Sequence, residues 1–302
     1  MKIGVDRILW TNDDLPELGG DIPLSRCLAE AAQAGYQGIE MGRKFPKTVD
    51  AMLQSLGTYG LELTSGWTNC FVRRKTVKEE LQDLKEHLQL LQGCGCQVVV
   101  LCEVSDAVHQ TPLGLSQRPK LKDREWEHFI NKLSLLAECI WAEYGLSISY
   151  HQHLGSTVQS LDDIDKLMTM TNEYVGLLCD TGHLAYAGID IFRVIQDYGS
   201  RINHVHLKDI RPDRLYAAKK EDWPFLKAIP AGCFTVPGDG VIDFKQVIQL
   251  LQQAQYQGWL VVEAEQDPKQ ANPLEYAKKG YQTVRKILTS LGYPKLTAKS
   301  IA

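Results

Sequence analysis

Residues 175–209 read VGLLCDTGHLAYAGIDIFRVIQDYGSRINHVHLKD. An apolar run, Val175 to Cys179, leads into the polar Asp180-Thr181-Gly182-His183. A helical stretch beginning near Asp190 then reaches Gly199, and a second apolar run, Ile202 to His206, ends in Lys208-Asp209. Strand, crossover and strand in this order form a parallel βαβ unit. The chemically active residues fall just where each strand runs out.

The same pattern extends outward in both directions. Ile3 to Leu9, Gly38 to Met41, Leu61 to Ser65, Gln97 to Cys102, Leu146 to Tyr150 and Trp259 to Glu263 join the two runs above to make eight strand candidates. Helix candidates begin near Pro23, Thr48, Thr76, Asp123, Ser160, Asp190, Asp243 and Pro273, many with a Ser, Thr or Asp start. Gly35, Gly60, Gly93, Gly145, Gly199 and Gly258 punctuate their ends. Ala34-Gly35-Tyr36-Gln37-Gly38-Ile39-Glu40 is echoed by Ala254-Gln255-Tyr256-Gln257-Gly258 leading to Glu263, so the units repeat helix, turn, strand, carboxylate. Eight such units without a linker predict a single (β/α)8 TIM barrel over residues 1–302, with 293–302 a flexible tail. The longest irregular stretches, His109 to Lys122 and Arg211 to Gly240, both follow strand ends, where loops of the catalytic face form lids.

The chain has 302 residues, 44% hydrophobic and 23% charged, with 33 Lys plus Arg against 37 Asp plus Glu and a formal charge of −4. That balance, with no long run of either sign, disfavours an electrostatic grip on nucleic acid. Apolar runs such as Val98 to Cys102 fall far short of the roughly 20 residues that cross a bilayer, and the first six residues lack a signal peptide's apolar region. A cytoplasmic protein with a small-molecule partner, no nucleic-acid or membrane partner and scope for homo-oligomers is expected. The eight cysteines are too sparse for a disulfide scaffold and read as reduced core thiols. Cys94-Gly95-Cys96 has no matching second pair and does not support a zinc knuckle.

Five of the eight histidines sit at three strand ends, in Tyr150-His151-Gln152-His153, Asp180-Thr181-Gly182-His183 and His204-Val205-His206. Strand side chains alternate, so His151 with His153, His204 with His206, and Glu263 with Glu265 share faces. If those faces point to the barrel axis, imidazoles and carboxylates meet at one mouth. Any one histidine is most simply explained by a local hydrogen bond; five together are not. Burying such a set without compensation costs several kcal/mol per charged group. A divalent cation supplies the compensation, and mixed imidazole and carboxylate ligation suits manganese, cobalt, iron or zinc better than magnesium or calcium.

Other motifs are missing: no Gly-x-Gly-x-x-Gly follows a strand, and there is no Walker loop, Gly-x-Ser-x-Gly or His-Glu-x-x-His. Pro237-Gly238-Asp239-Gly240 reads most simply as a turn, with a place bordering the pocket as the alternative. Trp10 and Trp67 are candidate pocket walls, with ordinary packing as the alternative. Glu40, Arg43 and Lys44 after strand two are either pocket residues or a solvated cluster. The candidate substrate contacts are Trp10, Asn12, Glu40, Lys44, Trp67 and Arg211.

Cys179-Asp180-Thr181-Gly182-His183 and His204-Val205-His206-Leu207-Lys208-Asp209, followed by the strand-end Glu263, resemble the pattern of the xylose isomerase-like barrel superfamily of sugar isomerases, epimerases and endonuclease IV-type enzymes. The resemblance covers nearly the whole chain. Within that superfamily three segments are similar to the branch that dehydrates keto-inositols. They are Gly4 to Leu9 with Trp10-Thr11-Asn12-Asp13-Asp14, then Gly38-Ile39-Glu40-Met41-Gly42-Arg43-Lys44-Phe45-Pro46, and Tyr150-His151-Gln152-His153-Leu154-Gly155-Ser156. Single-metal members use a carboxylate on strand five, an aspartate on strand six, a His or Gln on strand seven and a glutamate on strand eight. The resemblance places these ligands at His151, Asp180, His206 and Glu263, around Mn2+ or Co2+. His151 stands where many relatives have Glu, which leaves three arrangements: His151 coordinates, His153 takes over, or the metal keeps more water. His183 follows Asp180 as in relatives, where it lies beside substrate or metal.

The resemblance implies a hydro-lyase of inositol catabolism that converts 2-keto-myo-inositol to a cyclic trihydroxy-dione through an enediolate. Glu263 or a histidine would be the base, with Lys208, His153 and His183 as acid or electrostatic groups. Lys208, two residues beyond His206, is expected on the same inward face; the alternative is a salt bridge that orients Asp209 or a loop carboxylate. The competing readings are a ketose epimerase or sugar isomerase sharing the metal and enediolate, and a non-catalytic carbohydrate-binding barrel. A DNA endonuclease fits poorly, because neither a basic surface nor the extra ligands of a three-metal site are evident.

Overall fold

A computed structural model describes residues 1–294. Eight parallel strands close into a barrel: β1 (Lys2–Asp6), β2 (Gly38–Met41), β3 (Glu62–Cys70), β4 (Val98–Glu103), β5 (Ser147–His151), β6 (Val175–Asp180), β7 (Ile202–Leu207) and β10 (Trp259–Val262). Closure comes from β10 pairing with both β7 and β1, in the register Leu260 to Val205 and Ile3 to Leu260. The expected single barrel is therefore the observed fold. Of the expected tail, residues 295–302 lie outside the described residues.

The outer layer follows from apolar stripes and caps. Helices α1 (Leu24–Ala34), α2 (Val49–Gly57), α3 (Val77–Gly93), α4 (Asp123–Tyr144), α5 (Leu161–Met170), α7 (Ile191–Tyr198), α10 (Phe244–Gln253) and α11 (Pro273–Ser290) begin within a residue of the expected starts. Thr76 and Ser160 each accept the third helical N–H while Glu79 and Asp163 reach back, so both starts are closed by capping boxes. Gly145, at φ 66°, ends α4 in the left-handed region that a side chain disfavours. After α3 that role falls to Gly95 rather than Gly93, and Gly199 stays right-handed. Leu, Ile and Val from the inner helix faces pack on the outward faces of the strands as one continuous core.

Three departures shape the site. The first strand stops at Asp6 instead of Leu9, because the Asp6 carboxylate accepts the Ile8 N–H at 2.7 Å and turns Arg7–Leu9 into a 3-10 helix. β3 overruns its expected end by five residues and stays paired with β4 through Cys70 and Glu103. The stretch Arg211 to Gly240 is not irregular. It holds α8 (Pro212–Lys220), α9 (Phe225–Ala228) and β9 (Phe234–Thr235), which pairs antiparallel with β8 (Asp209–Ile210). With the short α6 (Thr181–Ala187), these elements bury a second apolar cluster around Phe225, Ile229 and Phe234 above the barrel mouth.

Candidate active site

The strand ends enclose a cavity of about 280 Å³ bordered by Asp6, Glu40, Trp67, His151, His153, His206, Glu263 and Glu265. Four donors from β5, β6, β7 and the end of β10 converge there. One ligand-capable atom each from His151, Asp180, His206 and Glu263 lies within 4.8 Å of the others, and all four residues are buried. His151 Nε2 is 3.6 Å from Asp180 Oδ2, His206 Nδ1 is 3.5 Å from the same oxygen, and His206 Nδ1 touches Glu263 Oε2.

Backbone contacts set the tautomers. His151 Nδ1 lies 2.8 Å from the Gln152 carbonyl oxygen, which only an N–H can satisfy, so Nε2 keeps its lone pair toward the other donors. His153 is arranged alike, with Nδ1 donating to the Leu154 carbonyl at 2.9 Å. His206 donates from Nε2 to Glu40 Oε2 at 3.1 Å, leaving Nδ1 for the cluster. Asp180 Oδ2, His206 Nδ1 and Glu263 Oε2 are buried and, beyond their contacts with one another and with the Lys208 ammonium, make no well-formed hydrogen bond. Buried polar atoms are nearly always satisfied, so three converging atoms of this donor type, left short of partners, fit a divalent cation.

Charge points the same way. Burial opposes ionisation of Asp180, yet Lys208 and His183 hold it well below the usual carboxylate range. Glu265, also opposed by burial, is held down to about 2 by Lys208 and His183. Burial would lower Lys208, but Asp180, Glu263 and Glu265 raise it and keep the ammonium charged. Its Nζ lies 3.2 Å from Asp180, 3.1 Å from Glu263 and 2.7 Å from Glu265. Lys208 is thus inward, as expected from its spacing, and it does not pair with Asp209. Gly182 makes room for it: a Cβ there would sit 2.5 Å from Lys208 Cγ.

Two neighbouring groups look similar but are arranged differently. Glu40 Oε2 lies 3.2 Å from His204 Nε2 and 3.1 Å from His206 Nε2, hydrogen-bond distances that leave no space for an ion between them. Glu40, expected to touch substrate, is therefore first of all the carboxylate that orients His206. Its two imidazoles outweigh burial and hold it well below the usual range. In the group of His153, His183 and Glu265, the Leu154 N–H donates to His183 Nδ1 at 3.3 Å. The His183 proton consequently sits on Nε2, facing Glu265 Oε1 at 3.5 Å. Burial lowers His153 well below the usual imidazole range, and the neighbouring His183, His109 and His151 lower it further.

Trp67 walls the cavity, its ring edge-on to His151 at 5.2 Å and to His153 at 5.4 Å. Glu40 borders it as well, but the remaining expected substrate contacts, Trp10, Asn12, Lys44 and Arg211, do not. Trp10 is fully buried and donates to Glu30 Oε2 at 2.7 Å, because the 3-10 turn after Asp6 swings it toward α1. Asn12 caps its own loop by accepting the N–H groups of Asp14 and Leu15. Lys44 donates to the carbonyls of Gly19, Gly20 and Ile22. Arg211 braces the lid through Gly232, Phe234 and Asp239. Asp6, Asp14 and His109 line the cavity instead. Asp6 sits at a strand end and His109 opens a long loop, positions that could have flagged both.

A closed parallel barrel with imidazoles and carboxylates gathered at its strand ends defines the class: the chain belongs to the xylose isomerase-like TIM-barrel family, whose profile matches residues 28–287. It is 43% identical to the inosose dehydratase of Geobacillus thermodenitrificans, over 94% of this chain and 96% of that one. Its identity to the rhizopine catabolism protein MocC of Rhizobium meliloti is 44%, over 97% of this chain and 90% of the relative. Among solved structures, the IOLI protein with a bound zinc atom superposes with a TM-score of 0.69 at 18% identity, covering 98% of this chain and all of that one, a likeness of fold.

Proposed function

We propose that the protein is a hydro-lyase that dehydrates 2-keto-myo-inositol (inosose) to a cyclic trihydroxy-dione, as a cytoplasmic enzyme of inositol catabolism. The observation that carries this reading is the convergence of His151, Asp180, His206 and Glu263 on one point with Lys208 against them, in a chain 43% identical to a named inosose dehydratase. The four residues would hold Mn2+ or Co2+. Such an ion would supply Lewis-acid polarisation of a ketone substrate.

The chain's own groups do the rest. Trp67 and the aromatic pair Phe225 and Phe234, packed on His153 and His183, exclude water from one side of the cavity. His153, with its Nε2 lone pair free, takes the proton from the carbon beside the ketone. The electron pair moves into the enediolate, whose negative charge faces the Lys208 ammonium. Collapse of that enolate expels the β-hydroxyl, and His153 returns its proton to the leaving oxygen, so that water departs and the imidazole ends as it began. The enol tautomerises to the dione. His183 and Glu265 hold Lys208 and His153 in place.

The experiment is direct. Metal-loaded protein is incubated with a panel of keto-inositols and ketohexoses, and dione absorbance is followed beside sugar composition. Dione from inosose alone is the expected result; an epimerised or isomerised ketose without dione would overturn the assignment in favour of an epimerase.

A further inference from the structure

The cavity of about 280 Å³ is not the end of the cleft. A second, more open groove of about 440 Å³ adjoins it, and Asp13, Asp14 and Trp67 border both. Small-molecule sites span about 300–1,000 Å³, so the inner cavity alone falls just short of the range and the two together lie inside it. The groove exists because β3 runs on past the end of β2 while still paired with β4, so that Trp67, Thr68 and Asn69 stand as a wall on that side.

The lining of that groove is mixed: four carboxylates, Glu80 among them, face a single lysine, Lys75, and Phe71 and Leu84 add apolar surface. Lys75 pairs with Asp83 at 2.6 Å, Asp13 with Arg7 at 2.7 Å, and Asp14 accepts from Gln110 at 2.7 Å. Thr68, Asn69 and Gln110 offer hydroxyl and amide groups beside the indole of Trp67, whose Nε1 donates to Asn69 Oδ1 at 2.9 Å. A hydroxylated ring presents C–H faces to an aromatic surface and O–H edges to amides and hydroxyls. The excess of carboxylates over Lys75 disfavours anions and leaves acceptors for hydroxyl groups.

We propose that this groove is an outer subsite for a second hydroxylated ring, joined through oxygen to the ring held in the inner cavity, so that the site takes O-glycosylated cyclic polyols as well as the free ring. The inference rests on the cyclitol reading of the inner cavity. The probes are therefore myo-inositol, which fills the inner cavity alone, and a panel of O-galactosyl and O-glucosyl myo-inositols, titrated calorimetrically into the metal-loaded protein.

At least one glycosylated inositol should bind ~10-fold or more tightly than inositol, the scale of one or two added hydrogen bonds. The double variant Thr68→Val, Gln110→Ala should lose most of that gain while inositol affinity stays within about twofold. Thr68→Val alone, which leaves the Gln110 to Asp14 bond intact, should lose part of it and guards against a disturbed Asp14. Glycosylated inositols that bind no better than inositol, or a gain that survives both variants, would overturn the outer subsite. Binding of the glycosylated compounds without any binding of inositol would instead overturn the cyclitol reading of the inner cavity and leave the groove standing. Failure of every probe would remove both.

Discussion

Lys208 and Asp209 are neighbours in the chain and almost fully buried, yet they face opposite kinds of environment. The Asp209 carboxylate accepts the N–H groups of Ile210, Gly238, Gly240, Val241 and Ile242, so a closed nest of amides satisfies it. Lys208 lies against Asp180, Glu263 and Glu265, and the second oxygens of Glu263 and Glu265 make no well-formed hydrogen bond. A satisfied buried charge holds structure together, whereas an unsatisfied set awaits something else. Asp209 therefore belongs to the architecture of the lid and Lys208 to the chemistry, and substitution on the two sides should separate folding from turnover.

The largest effect is expected on the Lys208 side, at the donors themselves. Asp180→Ala or Glu263→Ala should abolish tight metal uptake and lower turnover on the order of 1,000-fold or more, while circular dichroism still reports a folded barrel. Stoichiometric metal retained by both variants, measured by elemental analysis after desalting, would remove the metal centre from these residues. Lys208→Met should keep the metal but lose on the order of 100-fold or more in kcat, the scale of a lost charge partner for a developing oxyanion. Near-normal kcat would move Lys208 to the architectural side with Asp209.

On the other side, Asp209→Ala removes the acceptor for those five amides and should cost about 3 kcal/mol of stability, read by urea unfolding, with metal affinity kept. A variant as stable as the parent but inactive would reverse the contrast. Glu40→Gln lies between the two classes, because it keeps an acceptor near His206 and His204 but loses the charge. It should weaken metal binding roughly 10–100-fold with only a modest change in apoprotein stability. An unchanged metal dissociation constant with a raised KM would return Glu40 to substrate contact.

The barrel was legible in the sequence because eight apolar runs alternate with capped helices, a local signal that survives without knowledge of the fold. That the strand-end histidines and carboxylates would gather was legible for a related reason, since residues that end parallel strands meet at one mouth, whereas the choice of His151, Asp180, His206 and Glu263 among them came from the family resemblance. What escaped depends on contacts between distant elements. Glu40 orients His206 across β1 and β10, which separate their strands in the sheet. The lid helix α8, Pro-Asp-Arg-Leu-Tyr-Ala-Ala-Lys-Lys, carries one fully covered residue, Ala218, and its short apolar signal reads as loop. Lys44 and Arg211 look like substrate cations by charge, but the carbonyls that engage them come from turns whose approach no local pattern announces.

Trp10 sharpens the contrast at its smallest scale. It follows the end of β1, where a barrel residue is expected to face the cavity, but the Asp6 cap and the 3-10 turn carry its indole outward to Glu30 of α1. Full burial and a 2.7 Å hydrogen bond make it architectural, like Asp209, although its position in the chain groups it with the strand-end residues. Trp10→Phe deletes the indole N–H and part of the ring, and Glu30 keeps Arg26 as a partner at 2.7 Å. The cost should be about 1–2 kcal/mol, a lost hydrogen bond plus a small cavity, with kcat/KM for the dehydration within about twofold of the parent. A large rise in KM without loss of stability would bring the indole back to the pocket, and with it the expectation that every residue just beyond a strand end serves the site.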